Sequence, residues 1–271
     1  MQMDRDRKTQ RRYEGFMNTP NLWNDDVVKG IHQFELSKSS NKFTSDILDN
    51  LRLGKYIEQF VFYVLQQDKN IRQLKENIQI QKGKQTLGEI DCLFLENDQP
   101  IHLEISYKFY VVDFSRGTNE VEHCIGPNNR DSLVEKLTRI KDHQLPLLFR
   151  EETQEYLDAL NFNIKNCTQQ VLFKCQLYLP LSHLDHQFEN LNQDCVAGIY
   201  LRNNELDKFS SCKYFIPDKK DWLINPIVDV DWLNFKEVKK EIKRFHEKKY
   251  SPLCWMKHPN GEIVKAFVIW W

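Results

Sequence analysis

The sequence is poor in glycine, with 9 glycines among 271 residues, and it contains neither a G-x-G-x-x-G fingerprint nor a P-loop. Both motifs need glycines so that the backbone can approach a phosphate closely. Their absence argues against a dinucleotide cofactor or a Walker-type nucleotide site. No run of about eighteen apolar residues occurs, so the sequence predicts no membrane span. Residues 1–16 are charged and lack an apolar segment, which argues against a secretory signal.

Paired cysteines are also missing. The seven cysteines are scattered, and no two of them form a C-x-x-C pair: Cys92, Cys124, Cys167, Cys175, Cys195, Cys212 and Cys254. We therefore expect reduced, mostly buried thiols in a cytoplasmic protein. The alternative is a zinc site that uses His123 with Cys124, or His183 with His186, but no second pair has ligand spacing.

Neither sign of charge is in excess. The net charge is −1 and the pI is about 6.7, so the composition as a whole does not indicate a nucleic-acid partner. The net charge and the pI would not reveal a local basic patch. Such a patch remains possible, and a phosphate responds to the charges nearest to it. The chain is long enough for one large domain or two small ones, with a substantial core.

The most informative pattern lies in residues 87–112. It predicts two strands joined by a turn at residues 96–100, where Asn, Asp and Pro cluster between two apolar runs. Apolar and polar residues alternate along the second strand, which puts them on opposite faces. Its polar face would carry His102, Glu104, Ser106, Lys108 and Tyr110.

The first strand adds Glu89 and Asp91 on one face. If the two strands pair as a hairpin, Asp91 and Glu104 converge, and a hard divalent cation would relieve the repulsion between them. The alternative is an ordinary antiparallel strand with a solvated polar face.

A helix predicted over residues 44–67 contributes a third carboxylate. Apolar residues recur along it at helical spacing, and Glu58 interrupts a stripe that also contains Leu51, Phe62 and Leu65. Carboxylates are seldom buried without a partner or a metal. The alternative for Glu58 is an ion pair with Lys55, three residues earlier.

The remaining elements have weaker signatures. A charged helix over residues 4–16 is expected to be solvated, with a nucleic-acid-binding arm as the alternative. The patterns also predict a short helix near residues 22–31 and helices near 131–144 and 235–249. They predict strands near residues 71–82, 170–179, 196–202 and 263–271.

Five segments, in this order, resemble motifs of the bacterial family DUF1853. They are L-G-K-Y-I-E at 53–58, L-G-E-I-D-C-L-F at 87–94, H-L-E-I-S-Y-K-F-Y at 102–110, G-P-N-N-R-D-S-L-V-E-K-L at 126–137 and H-Q-L-P-L-L at 143–148. The family is grouped with the PD-(D/E)XK nucleases. The resemblance implies an α/β protein with a restriction-endonuclease-like mixed sheet flanked by helices. Its core would span residues 18–150, and residues 151–271 would form a C-terminal α+β elaboration of the same domain.

The resemblance also implies a site. Glu58, Asp91 and Glu104 would form an acidic triad, in which Asp91 and Glu104 hold Mg²⁺ or Mn²⁺. The superfamily places its lysine at the position that Ser106 occupies here, so Lys108, on the same face, would be a migrated catalytic lysine.

The same resemblance makes Lys136 and Asn128, in the fourth motif, candidates for substrate binding. It implies a metal-dependent nuclease, a hydrolase that cleaves phosphodiester bonds in nucleic acid. The alternative is a catalytically inactive module of the same fold that binds nucleic acid or a protein partner.

Overall fold

A computed structural model describes residues 2–37, 42–159 and 162–271. The fold is mixed α/β, with a large mixed sheet flanked by helices, as expected. The described α-helices are α1 Gln2–Asn18, α2 Leu53–Gln67, α3 Glu120–His123, α4 Leu133–Arg139, α5 Glu151–Ala159 and α6 Phe235–Glu247. The described strands are β1 Ile71–Lys82, β2 Gln85–Glu96, β3 Gln99–Val112, β4 Cys124–Ile125, β5 Thr168–Pro180, β6 Val196–Arg202, β7 Lys213–Phe215, β8 Leu253–Lys257 and β9 Ile263–Ile269.

The chain divides into two compact units. The first unit contains the residues up to Pro20 together with Lys108–Val134 and Cys175–Trp271. The second unit contains Asn21–Tyr107 and Glu135–Lys174. The domain boundary expected at residue 150 stays a prediction.

The second unit is built on an antiparallel meander. β1 pairs with β2, and β2 pairs with β3 in a register that runs from Glu96↔Gln99 to Cys92↔Leu103. Apolar side chains from β1, β2, α5 and the 3-10 helix Leu145–Phe149 pack into one core. The buried members of this core are Ile78, Ile80, Ile90, Leu93, Leu147, Leu148, Leu157 and Phe162. Helix α2 buries nine consecutive or nearly consecutive side chains between Tyr56 and Leu65, which include Glu58.

The first unit contains parallel and antiparallel pairs. β6 pairs in parallel with both β5 and β9, while β8 pairs antiparallel with β9 and with β7. Helix α6 begins with a capping box between Asn234 and Glu237, and it contributes Val238 and Ile242 to the core of this unit. Helix α1 is longer than predicted, and its Arg12 is buried in an ion pair with Asp221, with Nε 2.7 Å from Oδ1.

Two helix predictions are wrong, the first in its existence and the second in its starting position. The helix expected near residues 22–31 is absent from the described chain; the backbone forms turns there, and Leu22 and Phe34 donate their N–H groups to Phe173 and Val171 of β5. Hydrogen bonds to β5 thus hold this segment in turns instead of a helix. Helix α2 begins at Leu53 rather than at residue 44, because the side-chain amide of Gln59 bonds both backbone groups of Leu48 and holds that segment as a loop.

Candidate functional site

The three acids of the predicted triad lie in the second unit, on three different elements. Glu58 is on α2, Asp91 is on β2 and Glu104 is on β3, and their exposures are 7%, 8% and 1%. The predicted alternative, a solvated polar face on β3, is wrong, because His102, Glu104 and Ser106 are all buried. Buried carboxylates need partners, so the question becomes which groups surround them.

The pairing of β2 with β3 brings Asp91 and Glu104 together. The regular register of the two strands ends at the pair Cys92↔Leu103. Asp91 immediately precedes Cys92 in the chain, and Glu104 immediately follows Leu103. The Asp91 carboxylate takes over as acceptor there, since its Oδ2 accepts a hydrogen bond of 2.9 Å from the backbone N of Ile105. Burial raises the pKa of Asp91, and the charge of the nearby Glu104 raises it further.

Lys55 connects Glu58 to the strand acids. Its Nζ is 2.6 Å from Glu58 Oε2, bonds the carboxylate of Glu89 and lies 3.9 Å from Asp91 Oδ1. Glu58, Glu89 and Asp91 each offer a carboxylate oxygen within 4.8 Å of the others, the only such group of potential metal ligands among the described residues. The ion pair of Glu58 with Lys55 is confirmed. Glu58 also lies in an acidic cluster, and a metal at that cluster stays a prediction.

Glu104 is next to Asp91 and also has hydrogen-bond partners of its own. Its Oε1 is 3.0 Å from His102 Nε2, and its Oε2 accepts from the side-chain amide of Gln144. The amide of Gln169 lies 2.8 Å from His102 Nδ1. Burial lowers the pKa of His102 to about 4, so the ring is neutral, accepts at Nδ1 and donates from Nε2–H to Glu104.

Burial raises the pKa of Glu58, Asp91 and Glu104, in each case to about 7. Repulsion by Glu104 adds to the effect on Asp91, while the hydrogen bond from Lys55 opposes it at Glu58 and the charge of Lys136 opposes it at Glu104. Such carboxylates share protons near neutral pH instead of being fully ionised. A bound cation would release those protons, and this arrangement can also accept or donate protons in a reaction.

Of the three other residues predicted for the site, Lys136 interacts with the acidic cluster, whereas Lys108 and Asn128 have other partners. Lys108 and Asn128 belong to the first unit, where Lys108 Nζ is 2.6 Å from Asp131 Oδ2 and Asn128 Oδ1 accepts a hydrogen bond of 2.7 Å from Ser251 N. Lys136 belongs to the second unit, and its charge acts on both Asp91 and Glu104. Its Nζ donates to Gln144 Oε1 at 3.0 Å, so Gln144 links Lys136 to Glu104.

The predicted zinc alternative gains no support. The histidines His123, His183 and His186 surround the ring of Phe114 in the first unit, and the closest ring centroid, that of His183, is 4.4 Å away. None of the seven cysteines, all of which lie in the described residues, forms a disulfide, and six of them are buried, as expected.

Glu89 and Lys55 belong to the cluster, although the sequence patterns predict no role for either of them in the site. Glu89 lies two residues before Asp91 and therefore on the same face of β2, which was the available signal. Lys55 lies one helical turn before Glu58, a spacing at which side chains meet. Gln144 and Gln169 had no sequence signal, because amide side chains are common in solvated segments.

The fold and the site define a mixed α/β protein with a buried carboxylate cluster on one helix and two adjacent strands. The family model described as "Domain of unknown function (DUF1853)" matches residues 10–269, so the chain belongs to this family. The family expected from the five motifs is thus confirmed, over a longer stretch than the motifs covered. No curated protein and no solved structure matches the chain. In the described part of the chain, no helix is both long and apolar enough to cross a membrane.

Proposed function

We propose that the buried acidic cluster is the metal centre of a nuclease of the PD-(D/E)XK type, which hydrolyses phosphodiester bonds in nucleic acid. One observation carries this proposal: a helix and two adjacent strands each place a carboxylate in the same buried cluster. This is the arrangement that the resemblance to that superfamily implies. The same resemblance supports a restriction-endonuclease-like sheet, and the reduced state of the seven described cysteines supports a cytoplasmic location.

The residues present fit a hard divalent cation. Mg²⁺ and Mn²⁺ prefer oxygen ligands, and the cluster offers the carboxylates of Asp91 and Glu104, with Glu58 and Glu89 within reach of Asp91. The cluster also holds more negative charge than its buried position favours, which a cation would neutralise. When bound, the metal would polarise the phosphodiester and lower the pKa of its water.

The chain's own residues would position the substrate and hold protons. Lys136 and Lys55 supply positive charge beside the acids, where a phosphate oxygen of the substrate would be stabilised. Neutral His102 fixes the orientation of Glu104 by donating from Nε2–H. Glu58, with a pKa raised to about 7 by burial, is suited to accept a proton at neutral pH. Lys108 remains a predicted catalytic lysine, and Lys55 is its competitor.

A second function has its own support. The position usually held by the superfamily lysine is Ser106, and the ammonium group of Lys55 already forms ion pairs with both Glu58 and Glu89. A module that keeps the fold but binds nucleic acid or a protein partner without turnover is consistent with both features.

Cleavage assays separate the two functions. Labelled single- and double-stranded DNA and RNA are incubated with Mg²⁺, Mn²⁺ or EDTA, with the wild-type protein, Asp91→Asn and Glu104→Gln. Asp158→Asn, an exposed aspartate on α5, is the matched control. Metal-dependent cleavage that both site variants lose and the control retains would establish the nuclease; binding without any cleavage above the variants would favour the inactive module.

The lysine is assigned with three further variants. Lys55→Met, Lys108→Met and Lys136→Met each remove one ammonium group and keep an unbranched side chain. If Lys108 is catalytic, its variant loses cleavage while Lys55→Met retains it. The opposite result would assign the role to Lys55, and an unchanged Lys136→Met would remove Lys136 from the site.

A further inference from the structure

Lys265 is a buried lysine whose partners in the described chain are both uncharged. It lies on β9 of the first unit and is 5% exposed. Its Nζ donates to Gln176 Oε1 at 3.1 Å and to the backbone oxygen of Trp222 at 2.8 Å. A buried ammonium group without a counter-ion is costly, so this environment favours the neutral amine. Burial accordingly lowers the pKa of Lys265 to about 7.

The two hydrogen bonds of Lys265 determine which part of the neutral amine stays available to a ligand. A neutral primary amine has two N–H bonds and one lone pair. The acceptors on Gln176 and Trp222 use both N–H bonds. The lone pair therefore remains for a third group, and an amine with an available lone pair is a nucleophile.

Lys265 and Gln176 both line a cavity of about 360 Å³ in the first unit. Gly198 of β6 lies opposite Lys265 in the strand register, and a Cβ there would be 2.1 Å from the backbone oxygen of Lys265. Any larger residue would push these two strands apart, so the cavity wall depends on this glycine. Asn18, Thr19 and Asp194 add polar groups to the lining.

The charges around the cavity indicate a neutral ligand. Asn18 is the last residue of α1, and a helix carries partial negative charge at its carboxyl end. The carboxylate of Asp194 has the same sign. A carboxylate or a phosphate would meet both charges, whereas an uncharged carbonyl compound would not.

We propose that Lys265 is a nucleophilic amine that forms an imine with small, uncharged aldehydes or ketones in this cavity. The nitrogen attacks the carbonyl carbon, and its two protons leave with the carbonyl oxygen as one molecule of water. The product is a C=N bond between Nζ and the former carbonyl carbon. This site is independent of the proposed nuclease activity.

The test uses the folded full chain with propanal and a hydride reductant at pH 7. The reductant adds a hydride to the imine carbon, which leaves a stable propyl group that peptide mass mapping locates. At this pH about half of an amine with a pKa near 7 is neutral, against about one in 2,500 for an ordinary lysine. Allowing for the weaker nucleophilicity of a less basic amine, we expect Lys265 to react at least about tenfold faster than exposed lysines.

Lys257→Met, on the neighbouring β8, is the matched control and should leave the labelling of Lys265 unchanged. Lys265→Met should lose the label on that peptide and keep the slow labelling of other lysines. The α-amino group is followed on its own peptide and stays outside the comparison. Labelling of Lys265 no faster than that of exposed lysines, or only after unfolding in urea, would overturn the proposal.

Discussion

Asp91→Asn should stabilise the metal-free protein at pH 8, although it changes a buried and hydrogen-bonded residue. The substitution removes one charge from the acidic cluster but keeps an oxygen that can accept the hydrogen bond from Ile105 N, now 2.9 Å long. Glu104 loses a like-charged neighbour, and the cost of burying an ionised group disappears. A buried charge with a like-charged neighbour often reduces stability in this way.

The size of the effect follows from the pKa of Asp91, which burial and Glu104 raise from 3.8 to about 7. That is about three units, and each unit corresponds to about 1.4 kcal/mol, so the upper limit is roughly 4 kcal/mol. Lys55 loses part of its attraction to Asp91, and the new amide needs a partner, so we expect a net gain of roughly 1–2 kcal/mol.

The pH dependence has a defined sign. A carboxyl whose pKa is higher in the folded state than in the unfolded state destabilises the fold once the pH rises above the unfolded value. The cost grows from about pH 4 to about pH 7 and is complete above that. The gain from Asp91→Asn should therefore be larger at pH 8 than at pH 5.

Urea unfolding at pH 5 and pH 8 in EDTA measures both values, provided that the slope m is unchanged. Asp158→Asn, which changes an exposed aspartate in the same unit, should stay within about 0.5 kcal/mol of wild type. A loss of stability in Asp91→Asn at pH 8, or an equal change at both pH values, would refute the reasoning.

Other perturbations have equally defined outcomes. Mn²⁺ at about 100 times its dissociation constant at pH 8 should stabilise the wild type by roughly 2.7 kcal/mol at that pH. The same concentration should give a smaller shift in Tm at pH 5, because protons compete for the carboxylates, and Glu104→Gln should reduce the shift at pH 8. Lys55→Met should lower the metal-free stability at pH 8 by about 1–2 kcal/mol in urea unfolding, since Glu58 loses its ammonium partner; an unchanged midpoint would contradict this role. Gly15→Ala should cost about 1–3 kcal/mol or more in the same assay, because its Cβ would lie 1.9 Å from the backbone oxygen of Leu223, and a neutral result would show that α1 can shift freely.

The sequence predicted the hairpin well because its signals are local. Alternation over residues 87–112 and the turn residues Asn97 and Asp98 identify both strands. In the structure, β2 ends at Glu96 and β3 begins at Gln99. A register set by that turn makes the meeting of Asp91 and Glu104 a geometric consequence. The same locality explains β6, whose predicted bounds agree with the observed Val196–Arg202.

Other features depend on long-range contacts and were beyond local patterns. The three-residue strand β7 exists because it pairs with β8, about forty positions later in the chain, and no pattern of alternation can develop over so few residues. Lys55 likewise joins Glu58 to Glu89, more than thirty residues away, and that contact becomes visible only when α2 is placed against the meander. Periodicity identified the helix and the strands but not the side chain that connects them.

The energetics of the cluster favour a functional interpretation. Four carboxylates and one lysine, partly withdrawn from water, are a poor source of stability, because the cost of removing charges from water offsets their mutual attraction. Apolar residues of similar volume at positions 58, 91 and 104 would be expected to stabilise the unit more. A chain that keeps such a cluster accepts a lower stability than its core could provide, and places where a sequence breaks the rules of stable packing are expected at functional sites. The raised pKa values of Glu58, Asp91 and Glu104, and the neutral His102 that bonds Glu104, therefore support the proposal of a cation-binding site more than they support a role in folding alone.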